Sequence, residues 1–158
     1  MPIRRTLLAA SLLALLAGCA TPSAPVSVAD TLARDPQLTT LNTLVQQAGL
    51  ADMLRGAGPY TVFAPTNEAF QAVPAKTMDE LKDPARLKAV LSYHVLPARM
   101  SAADIRTGNA KTANGAEVAV ARAGDYVTVE DAVAQGHEVV ATNGVVYSID
   151  RVLMPPRR

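Results

Sequence analysis

Residues Ala141 to Pro155 read ATNGVVYSIDRVLMP, and this stretch decides the fold. Asn143-Gly144 is a tight-turn dipeptide, expected to supply positive φ angles. Beyond it Val145, Tyr147 and Ile149 alternate with Val146, Ser148 and Asp150, the period of two that a β-strand imposes. The pattern predicts a strand from Val145 to Leu153 that closes a sheet. Asp150 and Arg151 would point to opposite faces of it, so each needs its own partner or water.

The segments before that strand are also extended. Glu117–Ala121, Tyr126–Glu130 and Glu138–Thr142 are strand-like runs, with Gly124-Asp125 and Gly136-His137 as the turns between them. Asn114-Gly115 sits between two short runs that can pair as a hairpin. Towards the N-terminus the period changes. Leu38, Leu41, Val45 and Ala48 recur every three or four residues, with Leu44 widening the stripe, so one helix face is buried between Val28 and Gly56. Asp35-Pro36 is a helix start, and Gly49 and Gly56 stop two successive helical pieces. Asp83-Pro84 repeats the start signal and opens a helix to about Tyr93, with Leu87, Val90, Leu91 and His94 near one face. A shorter helical piece spans Thr77 to Lys82. Helices first and strands later give an α+β fold rather than a repeating βαβ order.

The chain has 158 residues, enough for one domain with a core. Apolar residues make up 49% and charged residues 18%, which argues against a disordered chain. The 15 basic and 14 acidic residues leave no electrostatic footprint for nucleic acid. One cysteine excludes an internal disulfide framework, and two histidines are too few for a histidine-rich metal centre. No metal or cofactor is expected.

The N-terminus reads as an export signal. Arg4 and Arg5 precede an apolar run from Leu7 to Leu16, shorter than the roughly 20 residues of a membrane span. Leu16-Ala17-Gly18-Cys19 resembles the lipobox of bacterial lipoproteins, in which cleavage frees a cysteine whose thiol receives a diacylglyceryl group. The resemblance implies a signal peptide over residues 1–18 and a fatty-acylated (palmitate-type) Cys19 as the membrane partner. Ala20, rather than Asp, implies the outer membrane of the cell envelope. Loss of Arg4 and Arg5 with the signal turns the formal charge from +1 to −1. Residues 19–27, the lipidated cysteine and a small, proline-containing stretch, form a short tether. Residues 28–155 form the domain and 156–158 a tail.

Three stretches, TVFAPTNEAF at 61–70, YHVLP at 93–97 and ATNGVVYSIDRVLMP at 141–155, occur in the order found in fasciclin domains. Residues 28–155 resemble that family. The resemblance implies a compact wedge of β-sheets with helices packed in the N-terminal half, and adhesion or interaction rather than catalysis. In physical terms, Val62 and Ala64 oppose Thr61 and Phe63 on a strand, Pro65 ends the ladder, and Thr66 caps a short helix carrying Phe70 inward. Thr66, Asn67 and Glu68 are thus read mainly as a structural corner, with Asn67 kept as a candidate contact.

His94 shares the apolar face of its helix, so a hydrogen-bonded core histidine with Tyr93 packed beside it is expected rather than a ligand or base. His137 is read as an exposed loop side chain. Asp104-Ile105 is a candidate contact by resemblance to the Asp-Ile segments of some animal fasciclin domains; otherwise it is a helical turn with Ile105 buried. The sequence holds no nucleophile elbow, phosphate-cradling glycine loop or zinc-protease motif. The chain is therefore read as a surface-anchored, non-enzymatic module binding a protein or polysaccharide, with a carrier of a small lipophilic ligand as the alternative.

Overall fold

The computed structural model describes residues 24–157, apart from the side chain of His137. Cys19, the signal segment and most of the tether lie outside the described residues. No described helix is long and apolar enough to cross a membrane.

The first half is a series of short helices with chemically distinct starts. Ser27 caps α1 (Val28–Arg34), its hydroxyl oxygen accepting from Asp30 N. Asp35 caps a 3-10 turn, Pro36–Leu38, which runs into α2 (Thr39–Gln47). Gly49 takes φ +69° after α2, a conformation that costs glycine nothing, and α3 (Ala51–Arg55) follows. After β1 (Tyr60–Pro65) the hydroxyl of Thr66 caps α4 (Asn67–Gln71), as expected. Next come α5 (Ala75–Glu80), two residues earlier than the sequence suggests, and α6 (Pro84–Tyr93), whose cap is Asp83.

The strands form one seven-stranded sheet. They are β2 (Val95–Leu96), β3 (Gly108–Lys111), β4 (Glu117–Ala123), β5 (Tyr126–Val129), β6 (Ala132–Ala141) and β7 (Gly144–Ile149), together with β1. Their spatial order is β2-β1-β7-β6-β5-β4-β3. All neighbours are antiparallel except β1 and β7, which run parallel with Val62 beside Val146 and Phe63 beside Tyr147.

Because side chains alternate along a strand, the β1–β7 pair feeds two cores. Val62, Ala64 and Val146 face the helices, meeting Val28, Leu32, Leu41, Val45, Leu54, Phe70, Leu87, Val90 and Leu91. Phe63, Val145, Tyr147 and Ile149 face the opposite way and meet Val118, Val120, Val127 and Val129, so the sheet folds over on itself. Phe63 and Tyr147 stack with ring centroids 5.6 Å apart. Each fully buried Leu or Phe here contributes roughly 1.5–3 kcal/mol of transfer free energy.

Several details differ from the sequence reading. Gly136-His137 is not a turn: it lies inside β6, where the register shifts between Gln135 and Val139 and Gly136 takes φ +76°. This bulge lets one strand serve both halves of the sheet. The β5–β6 reversal is instead at Glu130-Asp131, with Glu130 at φ +54° and its carboxylate accepting from Ala119 N at 2.9 Å. The last strand ends at Ile149, and Asp150 and Arg151 find separate partners, Val133 N and Asp131. At the end of the expected tether, the Val26 carbonyl accepts from Thr142 N at 2.9 Å and Ser27 caps α1.

Gly144 does not take the positive φ expected of it; the turn is centred on Thr142 and Asn143, and Gly144 already pairs with Ala141. A glycine is required there because a Cβ would sit 2.0 Å from the carbonyl oxygen of Tyr60. Gly144→Ala should therefore force β1 and β7 apart and cost about 3 kcal/mol or more in urea unfolding. Gly108→Ala, where nothing lies within 4 Å, should stay within about 0.5 kcal/mol of wild type. Equal effects of the two substitutions would refute the close-approach explanation.

Candidate functional site

His94 ends α6 and is 1% exposed. Its Nδ1 lies 2.8 Å from Val90 O, and its Nε2 accepts from Leu153 N at 2.9 Å. A carbonyl on one side and an N–H on the other define the neutral tautomer with the proton on Nδ1. Its backbone carbonyl also accepts from Phe63 N at 2.9 Å. His94 thus ties α6, β1 and the segment after β7 together. Burial lowers its pKa to about 4, the Val90 hydrogen bond offsetting only part of that effect. Tyr93 is buried beside it, with its hydroxyl reaching Glu117 O and Glu130 Oε1. Burial first, then the Glu130 charge, raises its pKa.

The segment after β2 is held down by polar groups that the sequence reading passed over. Thr61 is fully buried; its hydroxyl donates to Ala98 O at 2.6 Å and accepts from Met100 N at 2.8 Å. The Tyr147 hydroxyl lies 2.7 Å from Glu138 Oε2 and 2.8 Å from Met100 O. Burial and the Glu138 carboxylate push its pKa up strongly. Glu138 also accepts from Ala102 N, and Arg122 Nη1 donates to Ala102 O at 2.7 Å. A threonine before a valine in a strand and a tyrosine in a β motif are ordinary in sequence, so nothing announced this clamp.

This clamp fixes the candidate contacts. Asp104 is exposed and accepts from Ser101 Oγ at 2.6 Å. Ile105 is 3% exposed and packs in the second core, so it does not join Asp104 on the surface. Asn67 is committed internally: Oδ1 accepts from Thr40 N and Thr39 Oγ1, and Nδ2 donates to Pro36 O. It joins α4 to the start of α2. Thr66 is buried as the cap of α4.

Asn143 is the most heavily used polar side chain of the closing motif. Oδ1 accepts from Val28 N at 2.8 Å, while Nδ2 donates to Leu54 O and Gly56 O, both at 2.7 Å. Among the described residues, no group of three or more His, Cys, Asp or Glu side chains is arranged to hold a metal.

A fasciclin-domain family model matches residues 36–155. The chain belongs to the fasciclin domain family. Members of this non-catalytic family generally act as adhesion or interaction modules. Protein sll1483 of Synechocystis is 36% identical over 146 residues, covering 90% of this chain and 81% of that protein. Immunogenic protein MPB70 of Mycobacterium bovis is 42% identical over 138 residues, covering 84% and 69% respectively. Cell surface glycolipoprotein MPB83 of the same species is 41% identical over 135 residues, covering 82% and 60%. The fold is also similar to about half of a structure of a fasciclin domain pair from the insect cell adhesion molecule fasciclin I, with a TM-score of 0.66 at 16% identity over 82% of this chain and 51% of that one.

The pKa of His94 sets a pH dependence whose sign follows from linkage. Unfolded histidine binds a proton near pH 6.5, whereas folded His94 resists it to about 4, so its contribution is full above 6.5 and is lost as pH falls towards 4. The stability advantage of wild type over His94→Ala should shrink by about 2 kcal/mol between pH 7 and pH 4.5. Urea unfolding at the two pH values reads this directly. An advantage that stays constant, or grows, would contradict the buried neutral imidazole.

Proposed function

We propose that this fasciclin domain is a lipid-anchored, non-enzymatic interaction module of the cell envelope, binding a protein or polysaccharide through its exterior. The observation that carries the reading is Leu16-Ala17-Gly18-Cys19 placed just ahead of the family match. A diacylglyceryl group on Cys19, with further acylation of the freed amine, supplies several chains, and each buried CH₂ contributes about 0.8 kcal/mol to anchoring. The similarity to a relative named as a cell surface glycolipoprotein supports this placement. Ala20 favours the outer membrane.

The interior supports the reading in a second way. Its buried polar side chains, Thr61, Thr66, His94 and Thr112, are engaged in internal hydrogen bonds, so recognition falls to surface groups. Asp104, exposed on a segment immobilised from Thr61 to Arg122, is the side chain we assign to partner contact. A preorganised carboxylate loses little freedom on binding. The carrier alternative has less support. The clefts that carry apolar side chains, each of about 350 Å³, at Pro25, Val26, Val139 and Val140 and at Val73, Pro74, Val152 and Met154, are open to solvent rather than enclosed between sheet and helices.

Radiolabelled palmitate should enter the wild-type chain in cells and be absent from Cys19→Ser. Cross-linking in intact cells should capture a selective partner from wild type, reduced at least about fivefold for Asp104→Ala, a surface change expected to leave stability within about 0.5 kcal/mol. Label retained by Cys19→Ser would defeat the anchor; repeated absence of a selective partner would defeat the binding role.

A further inference from the structure

The chain enters the domain beside the most exposed aliphatic side chains of the sheet. Val139 and Val140 on β6 are 44% and 50% exposed. They line an open cleft of about 350 Å³ whose other walls are Ala24, Pro25 and Val26 and, from the end of α1, Thr31, Arg34 and Asp35. Val140 pairs with Val145 next to the β6–β7 turn, and that turn is where Val26 is fastened through Thr142. The cleft therefore lies at the point where the tether meets the fold.

Chain length then limits what can cover it. Four residues lie between Cys19 and Ala24, so five Cα–Cα steps give a reach of at most about 18 Å at roughly 3.6 Å per residue. The acyl chains of a lipidated Cys19 reside in the hydrocarbon layer, and the headgroup zone above them is only about 5–7 Å deep on each side. A domain on so short a leash cannot turn this face far from the bilayer. Valine and proline side chains suit the boundary between headgroups and acyl chains. Arg34 forms no salt bridge among the described residues, and its guanidinium at the rim suits a lipid phosphate.

We infer that the edge of β6 beside the tether, where Val139 and Val140 flank opposite faces of the strand and Pro25 and Val26 lie alongside, with Arg34 at its rim, is a bilayer-docking surface that holds the domain in one orientation on the membrane. This inference rests on the lipid anchor proposed for Cys19 and adds an orientation to it. Docked in this way, the domain is an oriented platform rather than a freely tumbling one. The occupant is the phospholipid surface itself; a second copy of the chain or one of the protein's own acyl chains would leave different signatures.

Cys19 is the only cysteine, so a second one can be labelled selectively once the first carries lipid. The experiment uses full-length lipidated protein carrying Val140→Cys or Tyr126→Cys, each labelled with an environment-sensitive fluorophore. Tyr126, 66% exposed in the β4–β5 hairpin, is the reference position. Both proteins are compared in detergent and in vesicles of phosphatidylethanolamine and phosphatidylglycerol. On vesicles, quenching by aqueous iodide should fall at least threefold at position 140 and by less than about 1.5-fold at position 126. Arg34→Ala should recover part of the quenching at 140 while flotation with the vesicles is unchanged.

Flotation with position 140 still fully quenched would overturn docking and leave the anchor standing. Failure to float would overturn both. Equal shielding at 140 in detergent and vesicles would assign the cleft to the protein's own acyl chain, and shielding that depends on protein density in the membrane would assign it to a second copy. Either result overturns docking to the bilayer.

Discussion

The fold depends on a single side-chain amide placed where four segments converge. Asn143, in the turn between β6 and β7, receives the first N–H of α1 on its oxygen and gives both amide hydrogens to the last carbonyls of the α3 segment. Its own backbone carbonyl receives Tyr60 N, at the start of β1. The polarity leaves no choice of orientation, because the reverse amide would set N–H against N–H and oxygen against two carbonyls. The orphan groups at one helix start and another helix end are thereby satisfied by the same residue. The contact spans more than 80 residues of sequence, joining the helical layer to the sheet.

The close approach of β1 and β7 follows from this geometry. With Tyr60 drawn to the turn, the next residue must lie almost against the Tyr60 carbonyl, and only glycine fits at 144. The parallel β1–β7 pair then carries a helix-facing core on one side and the folded-over strands on the other. His94 closes the opposite end by joining α6 to the chain after β7. An interior so occupied is suited to rigidity, which is what an adhesion or interaction module asks of its scaffold. The recognition we propose then rests on exposed groups such as Asp104, and the proposed orientation on the surface beside the tether.

Features set by local chemistry were legible in the sequence. Asp35-Pro36, Asp83-Pro84 and Thr66 announce helix starts because a short polar side chain can take an orphan N–H wherever it occurs. The burial of Leu87, Val90, Leu91 and His94 follows from helical spacing. Long-range geometry was not legible. Asn143-Gly144 has the composition of a positive-φ turn, and nothing local reveals that the asparagine reaches residues 28, 54 and 56. Gly136-His137 resembles a turn equally well, and only the pairing of β6 with both neighbours makes it a bulge. The β5–β6 turn was hidden because Glu130, not glycine, occupies the left-handed position, aided by its bond to Ala119 N. The burial of Ile105 agrees with its reading as the apolar side of a turn, whereas the three bonds of Asn67 to residues 36, 39 and 40 were hidden because sequence shows side-chain chemistry but not which groups the fold engages.

The central claim, that the Asn143 amide clamps the helices to the sheet, is tested most directly by equilibrium urea unfolding of Asn143→Asp at neutral pH. The aspartate keeps the shape and the acceptor for Val28 N but sets a carboxylate oxygen against the carbonyls of Leu54 and Gly56. The account predicts a loss of about 3 kcal/mol, from two forfeited hydrogen bonds and oxygen–oxygen repulsion at a half-buried site. Stability within about 0.5 kcal/mol of wild type would contradict it.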